Sequence, residues 1–160
     1  MRIRLMIPAL VAMLAWETLP ASAALCGTVL DPMTVSGTTL AFGNYFPNLG
    51  AANTTTVSIN CGLLGIDLLP AFTVSLVSGN SSNPTTRYMG TPSQKLNYNV
   101  YTTLNGSAVW GDGTAGSVTQ SFDGLLSIGT ISFTGYGRVP AGQYIPAGPY
   151  NDQITVKVTY

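Results

Sequence analysis

The 160-residue sequence contains no histidine. That absence excludes Ser-His-Asp and Cys-His nucleophilic mechanisms and every histidine metal site. Cysteine is nearly as scarce: Cys26 and Cys61 are the only two, too few for a zinc centre with no histidine to complete it. Charged residues make up 8% of the chain and the formal net charge is zero, so there is no basic field to attract nucleic acid. No G-x-S-x-G, no P-loop and no helix-opening G-x-G-x-x-G occurs. No catalytic residue, cofactor or resident metal is expected, and the chain reads as non-enzymatic.

A few polar and aromatic residues remain as candidates for chemistry. Asp112 in "WGDGT" and Asp123 in "FDG" would be the carboxylate pair of a glycoside hydrolase, but Asp before Gly is a turn signal in its own right. Calcium accepts scattered loop oxygens and would draw on Asp112, Asp123 or Asp152, although no regular ligand spacing is present. Trp110, Tyr136, Tyr144 and Tyr150 are the aromatics that would stack on a sugar at a binding face; the competing reading is packing at the ends of the fold. Three Asn-x-Ser/Thr matches, at Asn53, Asn80 and Asn105, carry no weight in a sequence this rich in Asn, Ser and Thr.

The first residues set the compartment. Arg2 and Arg4 precede the apolar run Leu5 to Trp16, and Pro20 and Ala21–Ala23 then supply a helix breaker and small residues. This is the pattern of a cleaved secretory signal over residues 1–23. The run is shorter than the ~20 apolar residues that span a bilayer, and no later segment is long enough, so no membrane span is expected after cleavage. The domain that follows, residues 24–160, has the size of a single core. Its charged residues are Arg87, Lys95, Arg138 and Lys157 against Asp31, Asp67, Asp112, Asp123 and Asp152. In an exported chain an even cysteine count favours a structural Cys26–Cys61 disulfide, stabilising by ~4 kcal/mol in the chain-entropy view.

Turn residues punctuate this domain throughout, and no helical period is sustained. Strands are expected at 38–45, 53–61, 71–78, 95–103, 129–137 and 152–160. Three of them have buried faces that can be named: Thr55, Val57, Ile59 and Cys61; Phe72, Val74 and Leu76; Leu96, Tyr98 and Val100. Each alternates with polar neighbours, as two antiparallel sheets packed face to face require. The fold class is all-β, an immunoglobulin-like sandwich.

The chain ends on a strand, "DQITVKVTY", in which Ile154, Val156, Val158 and Tyr160 form an apolar face. No turn and no further strand follow to pair with it. Such an edge is a template for strand addition. Covering four large side chains would contribute roughly 6 to 12 kcal/mol, comparable with the stability of a whole domain. The alternative is that a first strand, Thr28 to Val35, folds across and closes the edge.

Several stretches occur together and in order: "FGNY" (42–45), "VSINC" (57–61), "RYMG" (87–90), "LNYNVYTT" (96–103), "WGDGT" (110–114) and "YGRVPAGQYIPAGPYNDQITVKVTY" (136–160). In these the chain resembles the spore coat protein U domain family, which includes subunits of archaic chaperone-usher pili. The resemblance implies a pilin-like sandwich lacking its final strand. It implies an open groove lined by Ile154, Val156, Val158 and Tyr160, filled first by a periplasmic chaperone and then, at an outer-membrane usher, by the extension of a neighbouring subunit. Adhesion or biofilm formation at the cell surface or in a fimbrium comes with the resemblance alone. The chain departs from shaft subunits in one respect. Only Ala24 and Leu25 separate the expected cleavage site from Cys26, leaving no donor segment, so a fibre-terminating subunit is expected. The alternative is a stand-alone secreted coat or glycan-binding protein.

Overall fold

A computed structural model describes residues 33–61, 66–68, 71–77, 79–124 and 126–160. The expected signal segment 1–23 and Cys26 lie outside the described residues, and the expected disulfide with them. Among the described residues every regular element is a strand and none is a helix.

Eleven strands are formed: β1 (Met33–Gly37), β2 (Ala51–Cys61), β3 (Ile66–Leu68), β4 (Ala71–Val77), β5 (Tyr88–Thr91), β6 (Gln94–Asn97), β7 (Asn99–Tyr101), β8 (Gln120–Asp123), β9 (Leu126–Ile128), β10 (Thr130–Val139) and β11 (Thr155–Thr159). They assemble into a four-stranded sheet of order β1-β2-β10-β7, a three-stranded sheet of order β11-β4-β8, and the two-stranded pairs β3-β9 and β5-β6. All of these strand pairings are antiparallel. The β-sandwich expected from the alternation is therefore present.

Its core lies where the alternating faces meet. Val57 and Ile59 of β2 and Phe133 of β10 face Phe72, Val74 and Leu76 of β4, all buried. Phe72 meets Phe133 edge-on at 6.1 Å between ring centroids and stacks on Phe122 at 5.7 Å, arrangements favoured by aromatic quadrupoles. Leu96, Tyr98 and Val100 complete the core as expected, whereas Thr55 is half-buried.

Two expected strands differ. Residues 38–45 form no strand. They run beside β2 on one backbone bond, Thr38 N to Thr56 O (3.0 Å), and beyond it on side-chain bonds in place of a ladder: Thr55 Oγ1 donates to Thr38 O (2.7 Å), Thr56 N to Thr38 Oγ1 (2.8 Å) and Asn53 Nδ2 to Ala41 O (2.6 Å). The segment leaves the sheet because Leu40 and Phe42 fold inward over Gly137, where a Cβ would lie 2.6 Å from Leu40 and 2.9 Å from Phe42. The stretch 95–103 is divided at Tyr98, whose N–H donates to Arg87 O (3.0 Å). Before it β6 pairs with β5; after it β7 pairs with β10. At the other end of the four-stranded sheet, β1 pairs Met33–Gly37 with Val57–Cys61 of β2 and makes no pairing with β11. The described part of the first strand therefore does not close the terminal edge.

Candidate functional site: an open groove beside the last strand

β11 is the margin of the three-stranded sheet. It pairs with β4 from Thr155↔Val77 to Thr159↔Thr73, and among the described residues no strand lies on its other side. Exposure alternates along it as the sequence does: Ile154, Val156 and Val158 are half-buried, while Gln153, Thr155, Lys157 and Thr159 face solvent. A row of backbone N–H and C=O groups is thus left beside a partly covered apolar face.

That face opens into a groove of about 1110 Å³. One wall is Gly37 at the end of β1 and the irregular segment 38–47, from which Leu40, Phe42 and Tyr45 pack against the core. The opposite wall is 145–154 together with Val156, contributing Ile145, Tyr150 and Ile154. Val57, Leu76, Met89, Leu96, Tyr98 and Val100 form the floor. Of the four residues expected on the groove, Ile154 and Val156 line it. Val158 packs against the core further along β11, and Tyr160 is exposed.

Asp152 is the one charged residue lining the groove among the described residues, and its carboxylate is occupied. Oδ2 accepts from Tyr98 Oη at 2.7 Å; Oδ1 accepts from Asn80 N at 2.7 Å and Gln153 N at 2.8 Å. Asn151 O accepts from Gly90 N (2.9 Å) and from Asn80 Nδ2 (3.0 Å). These bonds seat the segment leading into β11 on the body of the domain. Burial pushes the Tyr98 phenol well above the ordinary tyrosine range, and the hydrogen bond to Asp152 adds to the shift.

Beneath this seat lies Arg87, fully buried. Its Nη1 donates to Trp110 O (3.0 Å) and its Nη2 to Leu76 O (2.9 Å). Burial lowers the guanidinium pKa, opposed by Tyr98, Asp152 and Asp112. Trp110 itself corrects an expectation from sequence: it is 0% exposed, with Nε1 donating to Val74 O at 3.0 Å. A ring with no free face cannot stack on a sugar. The remaining aromatics are dispersed over different elements: Tyr136 is half-buried within β10, Tyr144 is exposed, and Tyr150 is in the groove wall with its hydroxyl bonded to Pro146 O (2.8 Å).

The aspartates are accounted for locally. Asp112 closes a turn, accepting from Thr114 Oγ1 (2.6 Å) and Thr114 N (3.0 Å), bonds that hold its carboxyl below the usual range. Asp123 sits exposed in β8 opposite Ala71, and Asp152 serves Tyr98. The signal for the groove's first wall, missing from the alternation, lies in Gly137 of "TGYG", which leaves space for Leu40 and Phe42.

Comparison with known proteins follows the same line. A family model described as the Spore Coat Protein U domain matches residues 15–157. No curated protein matches the chain. Among solved structures, the chain is similar to the crystal structure of the CsuC-CsuE chaperone-tip adhesion subunit pre-assembly complex from archaic chaperone-usher Csu pili of Acinetobacter baumannii. The sequences are 20% identical and the TM-score is 0.58. The match covers 83% of this chain and 40% of that one, so this chain spans less than half of that chain's length and the likeness is one of fold.

Proposed function

The chain belongs to the Spore Coat Protein U domain family, and from this premise we propose that it is a structural, non-enzymatic pilin-like subunit of a chaperone-usher system. The observation that carries the proposal is the unpaired margin of β11 beside the 1110 Å³ apolar groove. That arrangement is suited to receiving an extended segment of another polypeptide, with main-chain bonds supplying affinity and alternate side chains filling the groove. The occupant is a periplasmic chaperone strand during export and a neighbouring subunit's segment after assembly at an outer-membrane usher. Residues 1–23 direct export and residues 24–160 form the subunit, which acts at the cell surface or in a fimbrium in support of adhesion or biofilm formation.

The free energy at stake is smaller than exposed side chains alone would give. Ile154, Val156 and Val158 are already largely buried, so completing their burial contributes at most about a third of the ~4.5 to 9 kcal/mol that three large side chains gain on full burial, on the order of 1 to 3 kcal/mol. Main-chain bonds along β11 and the apolar side chains of the incoming segment add to this, against a domain's stability of about 5 to 15 kcal/mol. The test is thermal unfolding of the purified chain with a synthetic extended peptide of alternating Val and Thr. At a hundredfold excess over Kd, the linkage contribution of about 2.7 kcal/mol raises Tm by about 10 °C. An unchanged Tm at millimolar peptide contradicts strand acceptance.

A further inference from the structure

The two walls of the groove carry no strand ladder to fix their separation, yet they are joined at one end. Tyr45 Oη donates to Pro140 O (2.9 Å) and accepts from Gln143 N (3.0 Å), while Gly142 N donates to Pro47 O (2.6 Å). The Gln143 side chain then ties this junction to the floor: Oε1 accepts from Asn97 N (2.7 Å) and Nε2 donates to Asn97 O (2.9 Å). The lining stops at Pro47 on one wall and begins again at Ile145 on the other. The clasp therefore joins the end of the first wall to the residues just before the second. At the far end nothing comparable is found among the described residues. There the lining gives out at Gly37 and Val156, and the sheet margins run on with Val35 43% and Tyr160 66% exposed.

The walls also run in opposite senses, 37–47 toward the clasp and 145–156 away from it. A strand lying between them meets a bonded crosspiece at one end and two continuing sheet margins at the other. We infer that the Tyr45–Gln143 clasp is an end stop that fixes how far an incoming strand reaches, and hence its register against β11. The inference rests on the strand-accepting reading above and adds to it an asymmetry. The occupant is an extended, uncharged peptide with alternate apolar residues, because the floor is apolar, the walls add Leu40, Phe42, Ile145 and Ile154 to it, and the carboxylate of Asp152, the one charged group lining the groove among the described residues, is already bonded. Its length can grow only toward Tyr160. An alternating register matters because a slip of one residue would turn every apolar side chain out of the groove.

The experiment uses the whole chain and a set of alternating Val/Thr peptides: a core of about ten residues, spanning ~33 Å when extended, and the same core lengthened by two residues at its amino end, its carboxyl end or both. Kd is measured for each. Lengthening at one end should tighten binding by at least ~5-fold as a further apolar side chain is buried, and lengthening at the other should leave Kd unchanged. Tyr45→Phe keeps the ring and removes both of its clasp bonds; in it the unresponsive end should begin to respond. Gln143→Ala, which releases the tie to Asn97, gives a second route if Tyr45→Phe does not fold. Equal responses at both ends, no response at either, or the same one-sided pattern in the variants overturns the end stop. Failure of every peptide to bind would instead overturn strand acceptance itself, and the stop with it.

Discussion

At Tyr98 the chain passes from β6 to β7, and the phenol left pointing inward donates to Asp152, two residues before the groove-lining Ile154. Because the hydroxyl is buried and bonded, the folded state resists its ionisation, and the folded pKa is raised above the unfolded value of about 10. The sign follows directly. This contribution is fully present below about pH 10 and is lost as pH climbs, because the unfolded chain releases the proton first. The urea midpoint of the protein should therefore fall as pH rises above 10. Tyr98→Phe should remove that part of the slope while costing about 1 kcal/mol at pH 7 through the lost hydrogen bond. Parallel midpoint curves for the two proteins between pH 7 and 11 would contradict the role given to this phenol. Arg87 has a related position: a buried cation held by Trp110 O and Leu76 O, it ties β4 to the segment before β8 and supports the floor on which Tyr98 rests.

Among the elements, β10 does the most to shape the site without touching an occupant. It pairs with β2 along Thr130–Val139, and its Gly137 leaves the space into which Leu40 and Phe42 fold. Gly137→Val would push both side chains off the sheet. The measurement is donor-peptide Kd, which should rise by about tenfold or more with a loss of stability of about 1 to 3 kcal/mol; an unchanged Kd would show that this wall is not part of the site. The elements most legible in the sequence were those whose alternation is enforced by burial on one side, β2, β4, β10 and β11. Residues 38–45 have the composition of a strand and fail to be one because the decisive contact is with Gly137, almost a hundred residues later. The break at Tyr98 is invisible for a related reason: its apolar alternation with Leu96 and Val100 continues unbroken while the hydrogen-bonding partner changes. Ile154 and Val156 were readable as one side of the groove. Leu40, Phe42, Tyr45, Ile145 and Tyr150 were not, since irregular segments have no period. Trp110, flanked by Gly111, reads from sequence as a packing ring with a surface ring as its rival, and its complete burial, with Nε1 bonded to Val74 O, places it inside.

At the scale of the molecule, a sandwich with two well-formed sheets carries a sheet margin and an apolar channel on the same side, between β1 with its continuation and β11. The interior is sufficiently packed for the domain to hold its shape, with Ile59, Val74 and Trp110 at 0% exposure. The groove, by contrast, leaves part of the last strand's apolar surface, on Ile154, Val156 and Val158, in contact with water. On the proposed reading such a domain gains further stability from association. Hydrogen–deuterium exchange at the backbone amides of Thr155–Thr159, in the isolated protein and with the alternating peptide bound, tests that claim most directly. With β4 on one side only, alternate amides of β11 should exchange freely in the isolated protein and become protected when peptide is added. Protection of all five amides before any peptide is present would mean that the margin is already paired, and would contradict the strand-accepting groove.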